Sequence, residues 1–272
     1  MGIKNVTTFD KTDLSHILVV DEYKFLYCYI PKIACTNWKR TILGLSGKIR
    51  TLNSTGIKHR DVHYTLSPLF NKLNQYPEAE IKYRINNYLK FIVVRDPLER
   101  IISAYNDKFV HTKDNSWRNR YKRYRRKQNT KTHSSMTSSN TKPSQTLTFE
   151  DFFKLIINQN PKEHIDEHRD IFYKLCHPCH VEYDIIAKYY TFNEDVGYIL
   201  EKANLRNLDF PKLREHNGPA TKDLVARTLD NISENDIKKF MDVYSMDYRL
   251  FGYDLPRWSY GYLYIYTNYI KF

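Results

Sequence analysis

No run of eighteen apolar residues occurs in this 272-residue chain, so no segment of it is built to cross a bilayer as a helix. The first residues also lack the basic-then-apolar pattern of a secretory leader. Glycine is scarce, with 8 residues, and no Gly-rich nucleotide loop is present: Gly44 and Gly47–Lys48 have the wrong spacing for one. That argues against a general ATPase or GTPase. Acidic residues are outnumbered, 31 against 43 basic ones, and no internal repeat is visible. Cysteine is limited to Cys28, Cys35, Cys176 and Cys179. The last two form Cys-His-Pro-Cys, which suits a metal, redox chemistry or a disulfide, depending on the compartment. Zinc would need Cys28 and Cys35, or His177 and His180, as further ligands, and the spacing of Cys28 and Cys35 is not that of a knuckle. No metal is expected.

What the chain does have is a globular composition, 41% hydrophobic and 15% aromatic, with 23 tyrosines. A net charge of +12 attracts polyanions: nucleic acid, anionic membrane or acidic glycans. The basic charge is concentrated at 113–131, where Asp114 is the one acid. Residues 128–148 are rich in Ser, Thr and Asn, so 113–148 reads as a basic surface loop. Sequons at Asn5, Asn53 and Asn231 tilt toward a secretory protein.

The pattern of the chain is α/β. Residues 1–22 read as an N-terminal extension with a short strand at Ile17–Val20, and 23–272 as one domain. Lys24–Ile30 reads as a buried strand, followed by a turn and a helix over Asn37–Leu45. Helical spacing returns at Glu78–Leu89. Lys90–Arg95 is a continuous apolar run ending in a charge, as in a central parallel strand. Asp96 and Pro97 then suit the start of a helix. Further helices are expected at Phe149–Ile157, Asn193–Ala203 and Ser233–Tyr248, with a late strand at Val181–Tyr190. Ile165–Leu175 fits either a helix or extended chain.

Two strand–turn–helix units carry the chemistry. In the first, Tyr29–Ile30–Pro31–Lys32–Ile33–Ala34–Cys35–Thr36–Asn37–Trp38–Lys39–Arg40, backbone N–H groups at a helix start join Lys32, Thr36 and Asn37 as anion ligands. The bland alternative is that Thr36 or Asn37 is an ordinary helix cap. In the second, Arg95 closes a strand and Ser103 lies two turns into the next helix, where they suit a separate phosphate. The alternative there is a solvated charge cluster of Arg95, Asp96, Glu99 and Arg100. Ligands of open α/β sheets bind at this edge.

Together the units resemble the 5′-phosphosulfate and 3′-phosphate motifs of Golgi carbohydrate sulfotransferases. The resemblance is to the family that includes the chondroitin and dermatan GalNAc 4-O-sulfotransferases. Leu73–Asn74–Gln75–Tyr76, Leu175–Cys176–His177–Pro178–Cys179 and Tyr183–Asp184–Ile185–Ile186–Ala187–Lys188–Tyr189 are also similar to it, and the likeness runs from about residue 24 to 256. It implies a P-loop-like fold with a central, mainly parallel sheet flanked by helices. It also implies 3′-phosphoadenosine 5′-phosphosulfate (PAPS) as sulfate donor, no metal, and an anionic chondroitin- or dermatan-like acceptor. Pro31, Lys32, Ile33, Ala34, Cys35, Thr36 and Asn37 would cradle the 5′-phosphosulfate, with Lys32 stabilising the leaving oxygen. Arg95, Asp96, Pro97, Leu98, Glu99, Arg100, Ile101, Ile102 and Ser103 would form the 3′-phosphate element. His63, ahead of His59, is the candidate base. His168 and His177 also match family positions.

The departures from the family are Leu98 for an aromatic, Asn106 for Arg, and Arg169 for Trp. The family's N-terminal anchor is not in this chain, which is expected to be a Golgi lumenal domain of a type II membrane protein. The rival readings are a sulfotransferase for another sugar, such as terminal GalNAc or glucuronate, or a basic nucleic-acid- or glycan-binding module without catalysis. The nucleic-acid reading leaves the paired motifs unexplained.

Overall fold

The computed structural model describes residues 11–49, 56–111, 116–119, 121, 147–158, 166–211, 225, 228–229 and 231–254. The expected basic loop at 113–148 lies almost wholly outside the described residues, as do the sequons at Asn5 and Asn53; Asn231 is exposed. The continuous apolar runs become strands: β1 (Ile17–Val20), β2 (Phe25–Cys28) and β3 (Leu89–Val94), joined by the shorter β4 (Ile185–Lys188). They form a four-stranded sheet in the order β1-β2-β3-β4. β1 runs antiparallel to β2, whereas β2, β3 and β4 are parallel. β1 and β2 are buried along their whole length, which explains why their sequences do not alternate. β1 falls in the stretch read as an extension, yet it is an edge strand of the sheet.

The helices are α1 (Cys35–Leu45), α2 (Glu78–Asn87), α3 (Pro97–Tyr105), α4 (Phe149–Ile157), α5 (Phe172–Cys176), α6 (Pro178–Val181), α7 (Phe192–Lys202) and α8 (Glu234–Leu250). The ambiguous stretch from 165 resolves into a turn at 166–170 followed by α5. The expected late strand shrinks to β4, because α6 takes its first residue.

The chain divides into two compact units, one drawn from Met1–Pro97, Ile165–Gly218 and Tyr244–Leu255, the other from Leu98–His164, Pro219–Val243 and Pro256–Phe272. The first holds the sheet. Its core includes an aromatic group in which Trp38 of α1 lies 4.6 Å from the rings of both Phe91 and Phe210, and Tyr27 lies 5.0 Å from Phe91. Such pairs contribute about 0.5–1.5 kcal/mol each beyond the area they bury. A disulfide joins Cys28, the last residue of β2, to Cys176, the last of α5. Cys176 is therefore not linked to its neighbour Cys179; Cys179 is an exposed thiol and Cys35 a buried one. The N-terminus of α5 is held by the buried carboxylate of Asp247, which accepts the N–H groups of Phe172 and Tyr173 at 2.7 and 3.1 Å. At the far side, Asp21 accepts bonds from Tyr76, Arg84 and Tyr88 at 2.7–3.3 Å.

In the second unit, Thr148 caps α4: its hydroxyl accepts the N–H of Asp151 and the carboxylate of Asp151 returns to the N–H of Thr148. Tyr105 donates its hydroxyl to Leu147 O at 2.7 Å and packs edge-on against Phe149. Phe153 stacks on Phe240.

Candidate active site

The turn between β2 and α1 is made without glycine, yet Lys32 and Ala34 have φ of 72° and 52°. Non-glycine residues there carry strain on the order of 1–3 kcal/mol each, which persists where the surroundings enforce it, often at ligand clamps. Turns of this kind gather successive N–H groups into an anion-binding concavity. Buried Pro31, Ile33 and Cys35 anchor the turn in the core, while Lys32, Ala34, Thr36 and Asn37 remain partly exposed.

Ala34 is the N-cap of α1, and its carbonyl accepts the N–H groups of Asn37 and Trp38. Thr36 and Asn37 therefore lie inside the first helical turn, and the ordinary-cap reading does not hold for either. The Asn37 side chain instead donates to Pro211 O at 3.1 Å. Ahead of Asn37, the N–H groups that open a helix have no intrahelical acceptor and are ready donors for an anion.

The second component is His63. Its Nε2 shares a hydrogen bond of 2.9 Å with Thr36 Oγ1. His63 lies on a single π-helical turn, Asp61–Thr65, closed by the N–H of Leu66 donating to Asp61 O at 2.8 Å. π-turns are rare and recur at functional sites. Val62, fully buried, fixes this turn to the core. Arg40 of α1 donates from Nε and Nη2 to Ile57 O, which ties the segment before the turn to the same helix. The His59 ring lies 4.5 Å from that of His63. The structure thus brings His63 to the turn between β2 and α1, with His59 as its ring neighbour.

Arg95 follows the last residue of β3, and its guanidinium lies 4.4 Å over the ring of Tyr189, just past β4. Sequence reasoning did not single out Tyr189 as the partner of Arg95, although the β3–β4 register that pairs Val94 with Lys188 makes them neighbours. Asp96 accepts the Tyr248 hydroxyl at 3.4 Å. Pro97 begins α3 as expected. Leu98, Arg100, Ile101 and Ile102 are buried, so their side chains pack within the protein; Glu99 and Ser103 are partly exposed.

Near the start of the turn, the 166–170 segment contributes two contacts. Asp166 Oδ1 lies 2.8 Å from His168 Nδ1, and Glu167 Oε2 lies 3.5 Å from His16 Nε2. His177 adjoins the disulfide in sequence and forms the N-cap of α6 in a left-handed conformation. Burial pushes the Cys35 thiol up, which keeps it protonated and unreactive. Among the described residues no group of His, Cys, Asp and Glu could hold a metal.

Comparison with known proteins gives the same direction. A profile of the sulfotransferase family matches residues 15–254. Carbohydrate sulfotransferase 11 of Mus musculus is 34% identical over 251 residues, 90% of this chain and 69% of the relative. Carbohydrate sulfotransferase 14 of Danio rerio is 35% identical over 253 residues, 90% of this chain and 64% of the relative. Carbohydrate sulfotransferase 10 of Gallus gallus is 31% identical over 258 residues, covering 92% and 70%. No solved structure matches the chain significantly. The match spans both strand–turn–helix units and the sheet that carries them, and the chain belongs to the sulfotransferase family.

Proposed function

We propose that this chain, a carbohydrate sulfotransferase, moves the sulfuryl group of PAPS onto the 4-hydroxyl of GalNAc in a chondroitin- or dermatan-like chain. The observation that carries the reading is the Thr36–His63 contact at the mouth of a strained, lysine-bearing turn. PAPS supplies the activated sulfuryl group; the protein supplies charge and geometry. The donors at the start of α1 and the Lys32 ammonium suit the 5′-phosphosulfate, and Lys32 offsets charge building on the leaving phosphate oxygen. Arg95, braced by Tyr189, suits the 3′-phosphate. His63 takes the acceptor proton, and its bond to Thr36 orients the imidazole toward the same turn.

The polyanionic acceptor is supported by the net charge of +12. A lumenal, Golgi setting is supported by the Cys28–Cys176 disulfide, since such links persist in oxidising compartments. The test is transfer of labelled sulfate from PAPS to a panel of desulfated glycans, followed by disaccharide analysis. Label on the 4-position of GalNAc supports the full reading. Label on another sugar keeps the reaction and changes the acceptor. Salt-sensitive polyanion binding with no transfer to any acceptor overturns it.

A further inference from the structure

Tyr29 is the residue through which β2 passes into the phosphate turn, and it is held on both sides. Its ring stacks on His16 at 4.4 Å, and the Lys39 ammonium lies 3.5 Å from the ring centroid. The Tyr29 backbone is fixed as well: its N–H donates to His16 O, and its carbonyl lies 3.0 Å from His16 Nδ1. Glu167 closes the far side of His16.

Lys39 is the unusual member of this stack. It is 6% exposed, and among the described residues no carboxylate lies within ion-pair distance of its ammonium. A buried charge without such a partner is destabilising, and an apolar residue of similar volume usually serves the fold as well or better. Cation–π contacts with Tyr29 and, at 5.8 Å, with Phe70 offset part of that cost, but an apolar residue would avoid it altogether. The position of Lys39 does offer an account. Lys39 lies one helical turn after Cys35, the first residue of α1, on the same face, and helical side chains lean toward the N-terminus. The ammonium thus underlies the first turn of α1, whose N–H groups are the anion donors.

We propose that Lys39 is a positioning residue for PAPS, a buried cation that draws the phosphosulfate to the start of α1 and braces Tyr29 where β2 enters the turn. The inference rests on the PAPS reading above. Lys39 itself touches no ligand.

The groups facing Lys39 set its behaviour. They are Cys35 on α1, Tyr29 at the end of β2, Glu167 from the 166–170 segment, and Lys72, with His16 beyond Tyr29. Burial, reinforced by Lys72, lowers the Lys39 pKa, against the opposing pull of Cys35 and Glu167. Burial raises Cys35 and Tyr29 and lowers His16. An anion arriving above the turn favours the charged form of Lys39 and raises its pKa. Binding in the alkaline range is then accompanied by proton uptake, and affinity falls as pH rises.

The experiment is calorimetric titration of 3′-phosphoadenosine 5′-phosphate, the product nucleotide, at pH 7 and 9 in buffers of different ionisation enthalpy. The wild-type protein is expected to take up more protons on binding at pH 9 than at pH 7. Lys39→Met is expected to lose that alkaline uptake and to bind about tenfold more weakly at pH 7, with a Tm equal to or above wild type. A merely structural lysine would lower Tm on substitution and leave proton uptake unchanged. Wild-type binding with no extra uptake at pH 9, or unchanged uptake in Lys39→Met, overturns the inference. Wild-type protein that binds no nucleotide overturns the PAPS reading itself, a separate outcome. The wild-type measurement stands even if the variant does not fold.

Discussion

Thr36 Oγ1 and His63 Nε2 lie 2.9 Å apart across 27 residues of sequence. This contact joins the residue type best suited to proton transfer near neutral pH to the turn proposed to hold the phosphosulfate. If His63 is the base, the two residues are expected to act as a unit. His63→Ala should lower kcat roughly 10²–10⁴-fold, the usual scale of a lost general base, with PAPS affinity nearly unchanged. Thr36→Val should lower kcat as well, and the double variant should fall short of the product of the two effects. Steady-state kinetics on the four proteins checks this; a near-wild-type rate for His63→Ala would move the base elsewhere.

Lys32 and Arg95 should separate by the step they affect. Lys32→Ala should abolish measurable transfer while leaving the fold intact, because its charge is needed most as the leaving oxygen becomes negative. Arg95→Ala should weaken product-nucleotide binding about 10–100-fold, the scale of one charge-assisted contact. Circular dichroism with calorimetric binding distinguishes these outcomes from unfolding.

The cysteines give a covalent prediction. Non-reduced peptide mapping should recover Cys28 linked to Cys176, with Cys35 and Cys179 as thiols. The link closes a separation of 148 residues, so reduction should destabilise the protein by roughly 5 kcal/mol on the chain-entropy view. Because the strand it anchors leads directly into the phosphate turn, nucleotide affinity should fall on reduction too. A Cys176–Cys179 peptide would contradict the arrangement.

Asp21 supplies a pH dependence. Burial raises its pKa, but the bonds from Arg84, Tyr88 and Tyr76 outweigh that and leave it below the ordinary carboxylate value. A carboxylate with a lowered folded-state pKa contributes stability above its unfolded pKa, and that contribution is lost as pH falls through the folded value. Asp21→Asn should therefore be less stable than wild type at pH 7, with the gap narrowing below about pH 4. Denaturant melts at several pH values test this; a gap independent of pH would rule the ionised carboxylate out as the cause.

The parts legible in the sequence were those written in contiguous residues. Phe25–Cys28 and Leu89–Val94 are largely apolar runs that fit doubly covered strands, and the two strand–turn–helix motifs pointed to the family that the comparison shows. What escaped depends on distant contacts or on backbone geometry that side chains do not announce. Nothing in Lys32 or Ala34 signals a left-handed conformation, since glycine is the usual marker. Thr36 and Asn37 are both good capping types, yet Ala34 occupies the cap. Cys176 has a cysteine three residues away and pairs with one 148 residues away. Of His59 and His63, the bond to Thr36 and the π-turn that holds buried Val62 single out His63, and neither is visible in the sequence.

Sulfuryl transfer through Lys32 is tested by a single-turnover assay with sulfur-labelled PAPS, a desulfated chondroitin acceptor, and wild-type or Lys32→Ala protein. Label is expected on the glycan with the wild-type protein and none with the variant. Transfer by Lys32→Ala at the wild-type rate would contradict this role of Lys32.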